Sequence, residues 1–138
     1  MSVTKCCDQD YRDVIRTSWG SPTIPGVKTR VAFMLGYPYL KIYQEQIEKE
    51  NLLHGDIVQG NFLDSYKNLT YKTVMGHMWV SSFCTQAEFL MKADDDIYLD
   101  IYGLYTVARR YIEDKVNLKL KIVRRTTGAK DFYFLENY

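Results

Sequence analysis

The sequence has little of what usually announces a function. Its 138 residues include two histidines and three cysteines, and neither set has the spacing of a zinc site. Three cysteines cannot all pair within one chain. Cys6 and Cys7, being adjacent, are poor partners for each other, so cysteine says nothing about redox compartment. No apolar run approaches the roughly 20 residues that a membrane-spanning helix needs, and the first residues hold no signal-peptide core. As it stands, the chain is expected to be soluble and to carry no address. Charge of one sign is missing too: 18 basic and 17 acidic residues are interspersed, for a net +1. That balance gives no electrostatic grip on nucleic acid. There is also no low-complexity stretch and no glycine loop of the kind that cradles phosphate.

What remains is an ordinary globular composition, 46% hydrophobic and 25% charged, at a length that suits one domain with its own core. Tyrosine is in excess, at 12 residues scattered along the chain, which suits half-wet surfaces and core packing equally. Basic residues gather only from Lys119 to Arg125, where they alternate with apolar ones. A strand with one solvated face is the natural reading.

Periodicity divides the rest. Residues 8–19 read as a helix through Tyr11, Val14, Ile15 and Trp19, with Asp8 or Asp10 as N-cap. Gly20, Pro22 and Pro25 end it in a loop. Arg30 to Leu35 reads as a short buried strand, stopped by Gly36 and Pro38. Leu40, Tyr43, Ile47 and the pair Leu52 and Leu53 mark an amphipathic helix that Gly55 caps. Asp56 to Phe62 is a second strand. Asp64 or Ser65 then opens a longer helix with Tyr66, Leu69, Thr73, Gly76 and Val80 on one stripe. Ala87 to Lys92 is nearly continuously apolar, as a strand covered on both faces would be. Ile97 to Leu99 continues it briefly, and Asp100 caps a helix carrying Ile101, Leu104, Tyr105, Ala108 and Ile112. Val116, Leu118, Leu120 and Ile122 alternate as an edge strand. His54 and His77 read as helix-surface or packing residues.

This alternation predicts an α/β layer with a mainly parallel sheet. Right-handed crossovers put the strand C-termini on one edge, where ligands of open α/β sheets bind. Asp94, Asp95 and Asp96 fall on that edge. Three adjacent carboxylates repel one another, and a divalent cation relieves the crowding. In an extended segment Asp94 and Asp96 point to the same side, and hard oxygen ligands favour magnesium, manganese or calcium. A metal held by one or two side chains keeps positions open for phosphate oxygens. A solvated acidic turn that also caps the next helix is the plainer alternative. A calcium EF-hand is excluded, because Leu99 and Tyr105 stand where its glycine and bidentate acid belong.

Five segments in order resemble the galactosyltransferase family of β-1,3-galactosyl- and N-acetylglucosaminyltransferases, and more distantly the fringe enzymes. Arg12-Asp13-Val14-Ile15-Arg16-Thr17-Ser18-Trp19-Gly20 is similar to the family's Arg-x-x-Ile-Arg-x-Thr-Trp-Gly opening, departing only at Ser18. Phe33-Met34-Leu35-Gly36 resembles the next strand and turn. Gly55-Asp56-Ile57-Val58-Gln59 and Phe62 through Thr73 resemble the family's most recognisable stretch. Trp79, Cys84 and Phe89 to Asp96 complete the pattern, ending in its Asp-x-Asp site.

The resemblance implies a partial GT-A fold, Rossmann-like and specific for nucleotide-diphosphate sugars. It implies an inverting hexosyltransferase that moves galactose or N-acetylglucosamine from a UDP-sugar donor to a glycan acceptor, in protein or lipid glycosylation. It also implies manganese as cofactor, and a place on the lumenal side of the Golgi membrane. By the same analogy Asp94 and Asp96 bind the metal, and Asp94 and Asp95 touch the metal or the donor ribose. Arg12 and Arg16, four apart on a helix, reach the uridine or its phosphates, or else form a solvated face with Asp8 or Asp13. Lys72 is expected to face solvent rather than the diphosphate. Asn68-Leu69-Thr70 is an N-glycosylation sequon at Asn68 in the first turns of a helix.

Against the family pattern, the first strand, the membrane anchor and the acceptor-binding half are expected to be absent. The base that deprotonates the acceptor belongs to that half, so no catalytic residue is assigned. Residues 8–115 are expected to form a partial donor-binding domain, and 116–138 a divergent segment. Two other readings stand beside a transferase: a non-catalytic binder of UDP-sugar or a partner, and a metal-dependent phosphotransferase.

Overall fold

The computed structural model describes residues 2–21, 25, 29–114, 121–127 and 130–136. Pro22, the expected strand positions Val116, Leu118 and Leu120, and the side chain of Ile112 lie outside the described set. Four strands, β1 (Ser2–Val3), β2 (Phe33–Tyr37), β3 (Ile57–Leu63) and β4 (Ala93–Asp94), form a parallel sheet in the order β3-β2-β1-β4. Helices α1 (Gln9–Thr17), α2 (Lys41–His54) and α3 (Leu69–Phe83) make the crossovers. A single 3-10 turn, Tyr66–Asn68, leads into α3. Beyond β4, the short strand β5 (Tyr98–Leu99) precedes α4 (Ile101–Asp114). It pairs in parallel with β7 (Lys130–Glu136), whose antiparallel neighbour is β6 (Lys121–Thr127). The predicted α/β layer is therefore present, with a second, mixed sheet beside it.

Strand alternation sorts the two faces of the parallel sheet. Phe33 packs with Ile15 and Trp19 of the α1 region, and Leu35 packs with Ile47 of α2. Gln59 reaches Gln44 of α2. These odd-numbered positions share one face with α1 and α2. Met34, Val58 and Gly60 turn to the other face, where a Cβ on Gly60 would meet Met75 of α3. Phe33, Met34 and Leu35 are completely buried, as expected for a strand covered on both sides.

Two expectations about strands need correction. The first strand is not lost, because Ser2–Val3 occupies the centre of the sheet between β2 and β4. Two residues are too few to leave a periodic signal. The same shortness explains why Ala87 to Lys92 is not a strand. A ladder extends only as far as its partner, and β1 offers partners at Ser2 and Val3 for Ala93 and Asp94 alone. Upstream, Phe89, Leu90 and Met91 are exposed.

Helix α2 begins at Lys41, and Gly55 ends it in the left-handed conformation (φ 64°), its N–H bonded to the Asn51 carbonyl. Its buried face is narrower than the apolar pattern implied. Ile47 is 3% exposed, whereas Leu52 and Leu53 are 88% and 77% exposed. Five and six residues beyond Ile47 lie across a 3.6-residue helix from it, and Glu50 takes the inward position instead. Ile47→Ala is expected to cost about 2–4 kcal/mol, while Leu52→Ala and Leu53→Ala stay within about 0.5 kcal/mol. Urea midpoints at constant slope check the contrast. Among the described residues no helix is long and apolar enough to cross a membrane.

Candidate functional site

The parallel sheet changes direction between β1 and β4. From β1 the chain winds outward through β2 to β3, then returns by α3 to lay β4 on the other side of β1. Crevices for ligands open beyond the strand C-termini at such a point. Asp94 ends β4, opposite Val3, and Asp95 and Asp96 form the turn that carries the chain towards the second sheet. Buried Ala93 and Leu99 anchor this turn on both sides. Trp19 pins it further, its indole Nε1 donating to the Ile97 carbonyl at 3.1 Å. Downstream, Asp100 caps α4 through the Gly103 N–H at 3.0 Å.

The three carboxylates differ. Asp94 is exposed and pairs with Lys92 at 2.8 Å, a surface contact of little energetic weight. Asp95 is half-buried, and burial raises its carboxyl above the usual range. The negative charges of Asp8 and Asp96 add to that rise, while hydrogen bonding to its own backbone and to that of Lys5 opposes it. Asp96 is exposed. Convergence of Asp94 and Asp96 presupposed extended backbone, but the chain turns at Asp95 and Asp96. Among the described residues no three His, Cys, Asp or Glu side chains gather into a metal cage. The donor set nonetheless suits a hard cation: it is all carboxylate oxygen, and the crowding around Asp95 is of the kind a cation relieves. A cation there would draw its other ligands from water or a bound phosphate.

Arg12 and Arg16 share a helix face as expected, but that face turns inward. Arg12 is 1% exposed and all five of its N–H donors are engaged. Nε and Nη2 grip Glu50 of α2 at 2.7 and 2.6 Å. Arg16 binds Asp56 through two bonds, at 2.8 and 2.7 Å, and reaches Glu50 and Asp13 as well. It also lies over the Phe33 ring, 4.8 Å from its centroid. Burial opposes its charge, but the hydrogen bonds it donates to Asp56, Glu50 and Asp13 raise its pKa above the ordinary range. The structure thus puts these donors to a use other than the nucleotide contact expected of them. Lys72, expected in solvent, is buried and pairs with Asp64 at 2.8 Å. Asp64 in turn accepts the Gly36 N–H at 2.9 Å. It therefore ties the ends of β2 and β3 rather than opening α3.

The Glu50 cluster has a definite pH signature. Burial works against ionising Glu50, yet the hydrogen bonds and charges of Arg12 and Arg16 outweigh it and hold its carboxyl below its ordinary value of 4.5. A carboxyl depressed by folding contributes stability that is full above the unfolded-state value and lost as pH falls through the folded one. Urea midpoints are therefore expected to hold from about pH 7 to about pH 5 and to fall below about pH 4. Glu50→Gln should flatten that fall.

Of the remaining sequence candidates, His54 and His77 are exposed on helices, as expected. Asn68 donates its side-chain amide to the Leu63 carbonyl at 2.8 Å. The described cysteines are free thiols. Burial, with help from Cys7 and Asp64 and against Lys72, pushes the Cys6 thiol up to about 12, so it stays protonated and inert. An open cavity of about 380 Å³ lies at the opposite, N-terminal edge of the sheet, lined by Arg16, Arg30, His54 and Asp56 among others.

Residues 10–130 match the family described as galactosyltransferase. That span passes residue 115 and reaches the first residue of β7. Over 91 residues the chain is 42% identical to a β-1,3-galactosyltransferase 5 from Pan paniscus, covering 65% of this chain and 30% of the relative. Over 96 residues it is 38% identical to β-1,3-galactosyltransferase 1 from Homo sapiens and from Mus musculus, covering 69% of this chain and 29% of each relative. It spans about three-tenths of the length of these curated relatives.

Proposed function

This chain belongs to the galactosyltransferase family, and from that premise we propose that it binds a UDP-sugar donor with manganese at Asp94, Asp95 and Asp96. The observation that carries this reading is the position of the run. It starts at the last residue of a strand of a parallel sheet, at the reversal of strand order, between buried anchors. Asp94 and Asp96 would hold the ion, and Asp95 would face the donor ribose or the ion. When bound, the ion neutralises the charge that develops on the departing diphosphate.

The whole reaction is the transfer of galactose or N-acetylglucosamine to a glycan acceptor with inversion, on the lumenal side of the Golgi membrane. Its base must stand opposite the diphosphate. The aspartates cannot serve as that base while they hold a cation. A second reading is donor binding by these residues without transfer. Release of UDP from UDP-galactose and UDP-N-acetylglucosamine, with a glycan acceptor and with manganese or chelator, separates the two. Manganese-dependent turnover that disappears in Asp96→Ala supports transfer. UDP binding without turnover supports the second reading, and turnover that survives chelation and Asp96→Ala sinks the assignment of the site.

A further inference from the structure

The loop leaving β1, residues 4–8, is gripped from both faces of the parallel sheet. From the α1 face, Arg12 donates to Thr4 Oγ1 at 3.2 Å, to the Lys5 carbonyl at 2.8 Å and to the Cys6 carbonyl at 3.4 Å. From the α3 face, Lys72 Nζ donates to the Thr4 carbonyl. Each cation is neutralised by a carboxylate from another part of the fold. Glu50 comes from α2, and Asp64 follows β3 and also holds the Gly36 N–H of β2. Thr4, Arg12, Glu50 and Lys72 are all buried.

Two features set this grip apart from ordinary core packing. Buried ion pairs are expensive, and apolar residues of similar volume often stabilise a fold as well or better. Here two such pairs are spent on the backbone and hydroxyl of one short loop. That loop also borders the aspartates. Val3 pairs with Asp94, so the chain beyond Val3 and the chain beyond Asp94 leave the sheet side by side.

We propose that Arg12 and Lys72 are positioning residues, which act through Thr4, Lys5 and Cys6 to fix the wall of the site that a nucleoside diphosphate meets beside Asp94 to Asp96. Neither cation touches the ligand. This role rests on the donor-site reading above, and it leaves a signature that stability alone does not.

The test is the double variant Lys72→Met with Asp64→Asn, which removes one buried pair without stranding a charge. Amide hydrogen exchange in the absence of ligand is expected to speed up about tenfold or more at residues 4–8 while β2 stays protected. The affinity of UDP with manganese, measured by calorimetry, is expected to fall about tenfold or more, as for other shells that orient ligands. Thr4→Val, which removes only the hydroxyl that accepts from Arg12, is the milder variant should the first not fold, with a smaller loss in the same direction. Wild-type exchange at residues 4–8, or UDP affinity within about twofold of wild type in a folded variant, overturns the positioning role. Absence of manganese-dependent UDP binding in the wild type instead overturns the donor-site reading, and the positioning role with it.

Discussion

Replacing Glu50 with alanine is expected to destabilise the protein by about 3–5 kcal/mol, because it strands the buried guanidinium of Arg12. A domain of this size has about 5–15 kcal/mol in total, so the variant sits near the limit of folding. The loss is not the net worth of the pair. Removing both charges together, Arg12→Met with Glu50→Leu, should do less damage than Glu50→Ala alone, although Thr4, Lys5 and Cys6 then lose a donor. Urea denaturation of both variants decides the matter. Equal or greater loss in the double variant would mean that the pair itself, rather than the stranded charge, carries the energy. Glu50 also bonds Arg16, which reaches Asp56 at the start of β3. The same substitution should therefore loosen the junction of α1, α2 and β3.

The second large effect concerns ligand rather than fold. Asp96→Ala is expected to lower the affinity for UDP with manganese by about 100-fold or more, equivalent to about 2.8 kcal/mol. Its urea midpoint should stay within about 0.5 kcal/mol of wild type, since Asp96 is exposed. Asp94→Ala should behave similarly, because the Lys92 pair it breaks lies at the surface. Unchanged affinity in both variants would reduce the acidic run to a solvated turn ahead of α4.

Much of this architecture was legible in the sequence, and the misses share a cause. The four α-helices, the α/β alternation, the Gly55 cap and the Asp100 cap all follow from local patterns of a few residues. The position of the acidic run at the end of a parallel strand and ahead of the Asp100 cap was legible for the same reason, although that strand is Ala93–Asp94 rather than Ala87 to Lys92. Failures arose where a residue's fate depended on partners far along the chain. Arg12 lies three and seven residues before Ile15 and Trp19, so the buried stripe of α1 carries it inward. Its partner Glu50 is 38 residues away and nothing local points to it. Tyr11 and Val14, which share the periodic pattern with Ile15 and Trp19, are exposed. Lys72 falls between Leu69 and Gly76 on the inward stripe of α3, a signal that was present and outweighed by its charge. β1 was invisible because two residues carry no period, and the displaced start of β4 follows from that shortness.

The central claim is that Asp94, Asp95 and Asp96 mark a cation-dependent site for a nucleoside diphosphate. Calorimetric titration of UDP into the folded wild-type chain, once with manganese and once with chelator, tests it most directly. Saturable binding of one UDP per chain that requires manganese is the expected result. Folded protein that binds no UDP, or binds it equally well without manganese, would contradict the claim.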